Sequence, residues 1–156
     1  METPTSDAGI YARESAYLDR FVQFGEAGER VISLSFPKTP EADSQDDHPL
    51  LDRIEDYLNG AEDDFADVTV GLTVPTDQRT VLEAVREIPY GEDATVEQIA
   101  RMTPGLSASE QEDLTQVREA LAANPVPLLI PDHRVRDGPS AAPPPVEQKL
   151  RAVEGR

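Results

Sequence analysis

Residues 124–135 read Asn-Pro-Val-Pro-Leu-Leu-Ile-Pro-Asp-His-Arg-Val, a stretch of unusual composition. Asn124-Pro125 ends a helical pattern, because proline cannot continue a helix. The apolar residues that follow, Val126–Ile130, predict a short strand-like segment. A charged Asp-His-Arg triplet comes next, directly after the last proline. The stretch therefore separates a helical region from a C-terminal segment, and the rest of the chain can be interpreted around it.

Helices are predicted on both sides of this stretch. Apolar residues recur at helical spacing, which indicates four helices, at Thr76–Ile88, Thr95–Met102, Ser107–Ala123 and Val146–Glu154. Thr76 is a suitable N-cap for the first, and Thr95 with Gln98 predicts a capping box for the second. Three helices followed by a strand and a loop predict a winged helix-turn-helix.

The N-terminal half predicts strands and one helix. Two strands are expected on either side of a hairpin turn at Gly25–Gly28, and Met1–Ser15 is polar and unpatterned, as in a mobile terminus. The predicted elements are strands at Tyr17–Gly25, Arg30–Pro37 and Asp67–Val74, and a helix from His48-Pro49 to Asn59-Gly60. Pro75 marks a boundary. We therefore predict a terminus at residues 1–15, an α/β unit at 16–74 and a second domain at 75–156.

The composition excludes several kinds of functional site. The 156 residues contain 14 bases, 31 acids and no cysteine, which gives a net charge of -17. Without cysteine there is no disulfide, thiolate metal site or cysteine nucleophile. We expect no metal and no cofactor. No apolar run is long enough for a membrane span, and no signal peptide is recognisable, so we expect a cytoplasmic protein.

The acid excess has two interpretations. A chain this acidic repels phosphate backbones at ordinary salt, which argues against nucleic acid as a partner. Alternatively, the acids coat the surface of a protein from a halophile, in which molar salt screens charge over a few ångströms. Only two of the bases are lysine, and the acids are spread along most of the chain. We favour the salt-adapted interpretation.

Residues 124–135 resemble the active-site segment of the O6-alkylguanine-DNA alkyltransferase (methylated-DNA–protein-cysteine methyltransferase) family. That segment reads Asn-Pro, an apolar stretch and then Pro-Cys-His-Arg-Val. Shorter matches follow in the family's order: Val-Arg-Glu-Ile-Pro-Tyr-Gly-Glu at 85–92, Gln-Ile-Ala at 98–100 and Glu-Gly at 154–155. The resemblance implies an α+β fold, in which a small ribonuclease-H-like N-terminal unit precedes a winged helix-turn-helix alkyltransferase-like unit.

The family's chemistry implies roles for four residues. A winged helix flips the damaged guanine out of the duplex, and a cysteine thiolate then takes the alkyl group. By resemblance, His133 stands at the position of the family's base and Glu154 at that of the acid that orients it. Asn124 matches the hinge asparagine. The acceptor position, however, holds Asp132.

The expected DNA contacts are also altered. Thr115 stands where the family has an intercalating arginine, and residues 138–145 replace the loop that forms the alkylguanine pocket. Ser107–Ala123 carries a net charge of -3, which opposes groove binding. The residues predicted to contact DNA are Thr115, Arg118, Ala122, Arg134 and Arg136.

Alternatives stay open for the buried-site residues and for the function. Asp132 either accepts an alkyl group, which its weak nucleophilicity disfavours, or makes an ionic contact with Arg134 or Arg136. His133 and Glu154 are either a remnant of the family's catalytic base and the acid that orients it or, as we favour, a buried polar network. We expect a non-catalytic, monomeric alkyltransferase-like protein that binds duplex DNA, including alkylated guanine, and signals to a repair protein. The alternative is a degenerate scaffold with a protein-interaction or structural role and no specific DNA binding.

Overall fold

A computed structural model describes residues 8–155 and has an α+β architecture, as predicted. Three strands precede five helices, and a short 3-10 turn, Asp132–Arg134, lies before the last helix. The elements are β1 (Ala8–Ser15), β2 (Arg20–Ala27), β3 (Arg30–Ser35), α1 (Pro49–Leu58), α2 (Thr76–Val85), α3 (Val96–Met102), α4 (Gln111–Ala122) and α5 (Pro144–Val153). Within the described residues, the helices are too short or too polar to cross a membrane.

The strands form one antiparallel sheet in the order β1-β2-β3. The β2–β3 hairpin turns at Gly28 and Glu29, both with positive φ, which suits the tight turn between two twisted strands. The turn had been expected at Gly25–Gly28, but the register instead shifts between Gly25 and Glu26, as in a β-bulge. The buried face of the sheet includes Val22 and Phe24 of β2.

The prediction of a mobile Met1–Ser15 is wrong for Ala8–Ser15, and Met1–Asp7 lies outside the described residues. Ala8–Ser15 is β1, paired along its whole length with β2 from Ala8–Ala27 to Ser15–Arg20. The strand shows little apolar alternation because Ala12 is its one side chain described as buried, and its pairing with β2 leaves no local signal in the sequence. The N-terminal unit therefore begins by residue 8.

The strand predicted at Asp67–Val74 is also wrong. The segment makes one parallel bridge, between Val70 and Val31, in which Val31 N–H donates to Thr69 O at 2.9 Å and Gly71 N–H donates to Val31 O at 2.9 Å. It covers the outer edge of β3 at this point instead of extending the sheet. Covering an exposed edge in this way prevents pairing with another chain.

Helix α1 begins and ends as predicted. His48 is the N-cap, and its Nδ1 accepts a hydrogen bond from Leu50 N–H at 3.0 Å, while Pro49 occupies the first turn. The helix buries a continuous apolar face against the sheet, made of Leu50, Leu51, Ile54, Tyr57 and Leu58. Tyr57 of this face reaches the site described below.

Of the three helix starts predicted in the second half of the chain, one is confirmed and two differ in the structure. The capping box of α3 is confirmed, with Thr95 and Gln98 side chains each bonded to the other's backbone N–H. Thr76, however, is not the N-cap of α2, since Pro75 takes that position without a side-chain bond. Helix α4 begins at Gln111 instead of Ser107, because Ser107 N–H donates to the Asp113 carboxylate at 2.8 Å and the residues between form a turn.

The two halves share one core. Buried residues from the sheet and α1 form a continuous apolar cluster with residues from α2, α3, α4 and the segment after α4. Leu34 N–H of β3 also donates to Pro125 O at 2.8 Å. The stretch at 124–135 therefore lies between the sheet and the helices, and its charged residues are enclosed on both sides.

Candidate functional site

Asn124 organises the turn that follows α4. It is 4% exposed; its Oδ1 accepts from Val126 N–H, and its Nδ2 donates to Ile130 O, each at 3.0 Å. The strand-like prediction for Val126–Ile130 is wrong, because the segment folds around this side chain, with a positive φ at Leu128 and a bond from Ile130 N–H to Val126 O. Asn124 thus holds the turn together from its centre.

Asp132 lies fully buried beneath this turn. Its Oδ2 accepts from Asn124 Nδ2 at 3.0 Å and from Ala141 N–H at 2.9 Å, and its Oδ1 accepts from Ser140 Oγ at 2.5 Å. We call these four residues the Asp132 clamp. Burial raises the pKa of Asp132 to about 6, and the three hydrogen bonds only partly oppose that rise. The prediction that Asp132 makes an ionic contact with Arg134 or Arg136 is therefore wrong.

A second buried group of charges, the Glu154 cluster, lies on the other side of the same segment. It consists of Tyr57, His133, Arg134 and Glu154. Arg134 donates to both carboxylate oxygens, from Nε at 2.9 Å and from Nη2 at 3.0 Å, and His133 Nε2 lies 2.7 Å from Oε2. Tyr57 O–H also donates to Glu154. The predicted buried polar network is confirmed, with two more members than expected.

The cluster's partners keep Glu154 ionised. Burial alone would raise the pKa of Glu154, but the hydrogen bonds from His133 and Arg134 outweigh it and hold the pKa well below its usual range. Burial and the adjacent carboxylate raise the pKa of Tyr57, so this phenol stays protonated as a donor. Gly91 N–H donates to Glu154 Oε1 at 3.1 Å, and its positive φ makes glycine suitable there.

Asp132 and His133 both make buried contacts that stabilise the fold. The Asp132 carboxylate is inaccessible, and both of its oxygens already accept hydrogen bonds, so it is poorly placed to attack an alkyl carbon. The His133 imidazole contacts Glu154 through Nε2, and Arg151 Nε donates to His133 O at 2.9 Å. This arrangement fixes the C-terminal helix against the core.

The loop after Val135 covers Asp132. Gly138 approaches α4 so closely that a Cβ there would lie 2.7 Å from Leu121 Cδ1, which excludes larger residues. Asp137 then accepts from Val96 N–H at 2.7 Å. A mainly apolar cleft of about 280 Å³ opens beside this loop, lined by Asn124, Pro127, Ala141, Pro143 and residues 34–37. Asp132, at 0% exposure, does not line it.

Three of the predicted DNA contacts lie together on α4. Thr115, Arg118 and Ala122 are exposed and follow one another at spacings of three and four, so they form one stripe along the helix. Gln111 lies on the same stripe and was missed, although the same spacing identifies it. We call these four residues the α4 stripe.

The acids of α4 lie beside the stripe. Glu112 and Glu119 are exposed, and at about 100° per residue they project about 70–90° away from the stripe's centre. The Asp113 carboxylate accepts a hydrogen bond from Ser107 N–H. The acids thus flank the face that would enter a groove without occupying it.

The two predicted arginine contacts differ. Arg134 is 2% exposed, so its assignment to DNA is wrong: its guanidinium binds Glu154, Ile88 O at 2.7 Å and Asp64 at 3.3 Å. The sequence does not distinguish it from Arg136, two residues later. The Arg136 side chain is 57% exposed and pairs with Asp93 at 2.7 Å. Of these two arginines, Arg136 is the exposed one.

Comparison with known proteins gives a consistent family. Residues 76–142 match the family described as 6-O-methylguanine DNA methyltransferase, DNA binding domain. The chain is 37% identical over 105 residues to the methylated-DNA–protein-cysteine methyltransferase of Methanopyrus kandleri, covering 67% of this chain and 75% of that protein. The Metallosphaera sedula protein is 32% identical over 110 residues and the Haemophilus influenzae protein 27% over 117. The alignments cover 69% of this chain and only 66% and 63% of those two proteins.

Solved structures establish the fold. The chain superposes on Mycobacterium tuberculosis O6-methylguanine methyltransferase with a TM-score of 0.73 at 19% identity, over 94% of this chain and 92% of that one. A structure of Mycobacterium tuberculosis OGT in complex with DNA gives 0.72 at 21% identity, with the same coverage. The α+β fold is therefore that of these proteins across nearly the whole chain.

Proposed function

We propose, from the premise that this chain belongs to the methylated-DNA–protein-cysteine methyltransferase family, that it is a non-catalytic alkyltransferase-like protein. In this proposal it binds duplex DNA through α3 and α4, including duplexes that contain alkylated guanine, and acts in DNA repair signalling. The family match begins at Thr76, which supports a division at Pro75 between an N-terminal unit and a winged-helix DNA-binding unit.

The acceptor position carries the proposal that the protein is non-catalytic. The relatives are named for a protein cysteine, and this chain has none. Asp132 stands at that position, fully buried and hydrogen-bonded through both oxygens. A carboxylate is a much weaker nucleophile toward an alkyl ether than a thiolate. We therefore expect no methyl group on the protein, by mass spectrometry, after incubation with an O6-methylguanine duplex. Methyl addition at Asp132 would contradict this.

The α4 stripe supports the proposed DNA contact. Its exposed side chains are small or neutral apart from Arg118, so the helix can approach a groove closely, and Arg118 and Arg136 can contact phosphates. In the relative whose structure contains DNA the fold is the same. Residues 138–145 replace the loop that forms the alkylguanine pocket in the family, so we expect modest discrimination between damaged and intact duplexes.

Fluorescence anisotropy tests this proposal. Labelled duplexes with one O6-methylguanine or one guanine are titrated with the protein, and we expect measurable binding that is tighter for the damaged duplex. Arg118→Ala should weaken binding, whereas Arg79→Ala, an exposed arginine on α2, is the matched control and should not. Equal failure on both duplexes, in low and in molar KCl, would contradict DNA binding.

Salt dependence tests the proposed halophilic origin. For ordinary proteins DNA affinity falls steeply with salt, because bound cations are released from the phosphates. A chain of net charge -17 is itself repelled by DNA, and salt screens this repulsion. We propose a salt-rich cytoplasm as its setting and expect affinity that stays level or rises toward molar KCl. A steep fall would contradict salt adaptation.

One observation favours the alternative, a degenerate scaffold that binds a protein. Glu112 and Glu119 lie directly beside the α4 stripe, and they would approach phosphates if the helix entered a groove. In that case a high-salt pull-down recovers a stable protein partner and no DNA. Binding to neither duplex together with such a partner would favour the scaffold.

A further inference from the structure

A compact cleft lies in the N-terminal unit, between the β1–β2 turn and α1. It encloses about 140 Å³. Its floor consists of buried aliphatic side chains, and its upper rim carries Tyr17, which is 40% exposed. We call it the Tyr17 cleft, after the rim residue, with a floor of Val22, Leu51, Ile54 and Leu58.

The size of the cleft suits one side chain. A cavity of about 150 Å³ lined by aliphatic residues accommodates a molecule as large as benzene, so the Tyr17 cleft can hold a leucine or phenylalanine side chain. A floor of four aliphatic residues offers ordered water few hydrogen-bond partners. An apolar group that displaces this water therefore makes the free energy of binding more favourable.

The rim of the cleft is held in place before any partner binds. Tyr17 O–H donates to Lys149 O of α5 at 3.2 Å, and Lys149 Nζ donates in return to Tyr17 O at 2.7 Å. The ammonium also lies 5.6 Å from the centre of the Tyr17 ring. A rim fixed by three interactions loses little conformational entropy on binding, which favours affinity.

The charge around the cleft selects the partner. Glu14 and Glu55 line it, and Asp52 lies beside Glu55 on the exposed face of α1. Arg13 is the one lining base, but it is already paired with Asp52 at 2.7 Å and Glu55 at 3.2 Å. With the Lys149 ammonium beside Tyr17 also counted, three acids face two bases, so the rim is net negative by one charge. This charge repels nucleic acid and acidic peptides and attracts lysine or arginine.

We propose that the Tyr17 cleft is a docking site for a protein segment that inserts one leucine-sized apolar side chain flanked by basic residues. The inference goes beyond the proposed DNA binding and does not depend on it. The cleft uses no residue of α2, α3, α4 or the segment 124–143. A partner can therefore occupy it whether or not DNA lies on the α4 stripe.

A short peptide tests the proposal in the full chain. The probe is the blocked pentapeptide Lys-Arg-Leu-Lys-Arg, added to ¹⁵N-labelled protein in about 0.15 M KCl, where charge is screened over about 8 Å. We expect saturable amide shifts centred on Tyr17 and Leu58, with a dissociation constant of about 1 mM or tighter. The same peptide with alanine in place of leucine should bind about tenfold more weakly.

Charge-reversal variants separate docking from general attraction. Glu14→Lys with Glu55→Lys should abolish the shifts, and Glu83→Lys with Glu87→Lys, two exposed acids at α2, is the matched control that should keep them. Absence of saturable shifts, shifts that do not depend on the leucine, or equal losses in both variants would overturn the proposal. Concentration-dependent shifts at the cleft without peptide would also overturn it, since they identify a second copy as the occupant.

Discussion

Two buried carboxylates lie on opposite sides of the same segment, and their surroundings differ in one respect. Glu154 faces the Arg134 guanidinium and the His133 imidazole, and its pKa is lowered. Asp132 faces only neutral donors, from Asn124, Ser140 and Ala141, and its pKa is raised to about 6. Burial opposes ionisation at both sites, so the presence of a cation decides the direction of the pKa shift.

The two carboxylates also differ in what they connect. The hydrogen bonds and the ion pair of Glu154 join α1, the 124–135 segment and the C-terminus. Asp132 instead connects only the turn after α4 with the loop at 140–141, through three neutral donors. Glu154 therefore holds three parts of the chain together, whereas Asp132 holds two neighbouring ones.

The largest effect is expected from Glu154→Gln. The substitution leaves the Arg134 guanidinium buried with Asp64 as its one remaining acid, and removing one partner of a buried ion pair costs about 3–5 kcal/mol. Urea unfolding at constant KCl measures the loss. Glu97→Gln, which breaks an exposed pair with Arg101, is the control and should cost less than about 0.5 kcal/mol. A loss below about 1 kcal/mol for Glu154→Gln would contradict the cluster's role.

The next largest effect is the dependence of the protein's stability on pH that Asp132 causes. Its pKa is raised on folding from 3.8 to about 6, so its contribution to stability is full below about pH 4 and is lost as pH rises through 6. Asn can keep the clamp, because its carbonyl accepts from Asn124 and Ala141 and its amide donates to Ser140. The stability of Asp132→Asn relative to wild type should therefore rise by about 2.5 kcal/mol between pH 4 and pH 8.

Urea unfolding of both proteins across this pH range measures that difference. Other titrating groups, including Glu154, largely cancel in the comparison because both proteins contain them. A relative stability that stays level with pH would show that Asp132 is not a buried, unpaired carboxylate, and one that falls would show that it has a cationic partner.

The sequence predicts much of the fold because several of its signals are local. His48-Pro49 and the Thr95–Gln98 capping box fix the starts of α1 and α3 within the residues themselves. β1 is missed because its partners lie in β2, and Asp67–Val74 alternates like a strand although it pairs only at Val31. Pairing between distant residues decides both cases.

The candidate site is predicted in part for the same reason. The 124–135 motif identifies Asn124, Asp132 and His133, but adjacency in sequence suggested that Asp132 meets an arginine. The 3-10 turn at Asp132–Arg134 instead separates successive side chains, so that Asp132 faces Ser140 and Arg134 faces Glu154. Tyr57 lies on α1, 76 residues before His133 in the sequence, and no local pattern identifies it as a member of the Glu154 cluster.

A smaller effect is expected from Tyr57→Phe. Its hydroxyl donates to the ionised Glu154, and a hydrogen bond to a buried charge contributes about 2 kcal/mol. Because Tyr57 lies on α1, the loss also weakens the contact between the N-terminal unit and the cluster. Tyr90→Phe removes a longer bond, to Val153 O at 3.3 Å, and is the control, expected at about 0.5 kcal/mol. Equal losses for both would contradict a specific role for Tyr57.

The smallest effect, from Ser140→Ala, tests whether Asp132 depends on neutral donors. The hydroxyl donates to Oδ1 at 2.5 Å, and this bond lowers the pKa that burial raises. Removing it should raise the pKa of Asp132 above about 6 and cost about 1–2 kcal/mol at pH 8, where the carboxylate is ionised. At pH 4 the carboxyl is protonated, so the loss should be smaller. Urea unfolding at the two pH values, with the exposed Ser109→Ala as control, measures the difference; a loss independent of pH would show that the hydroxyl serves packing and not the charge.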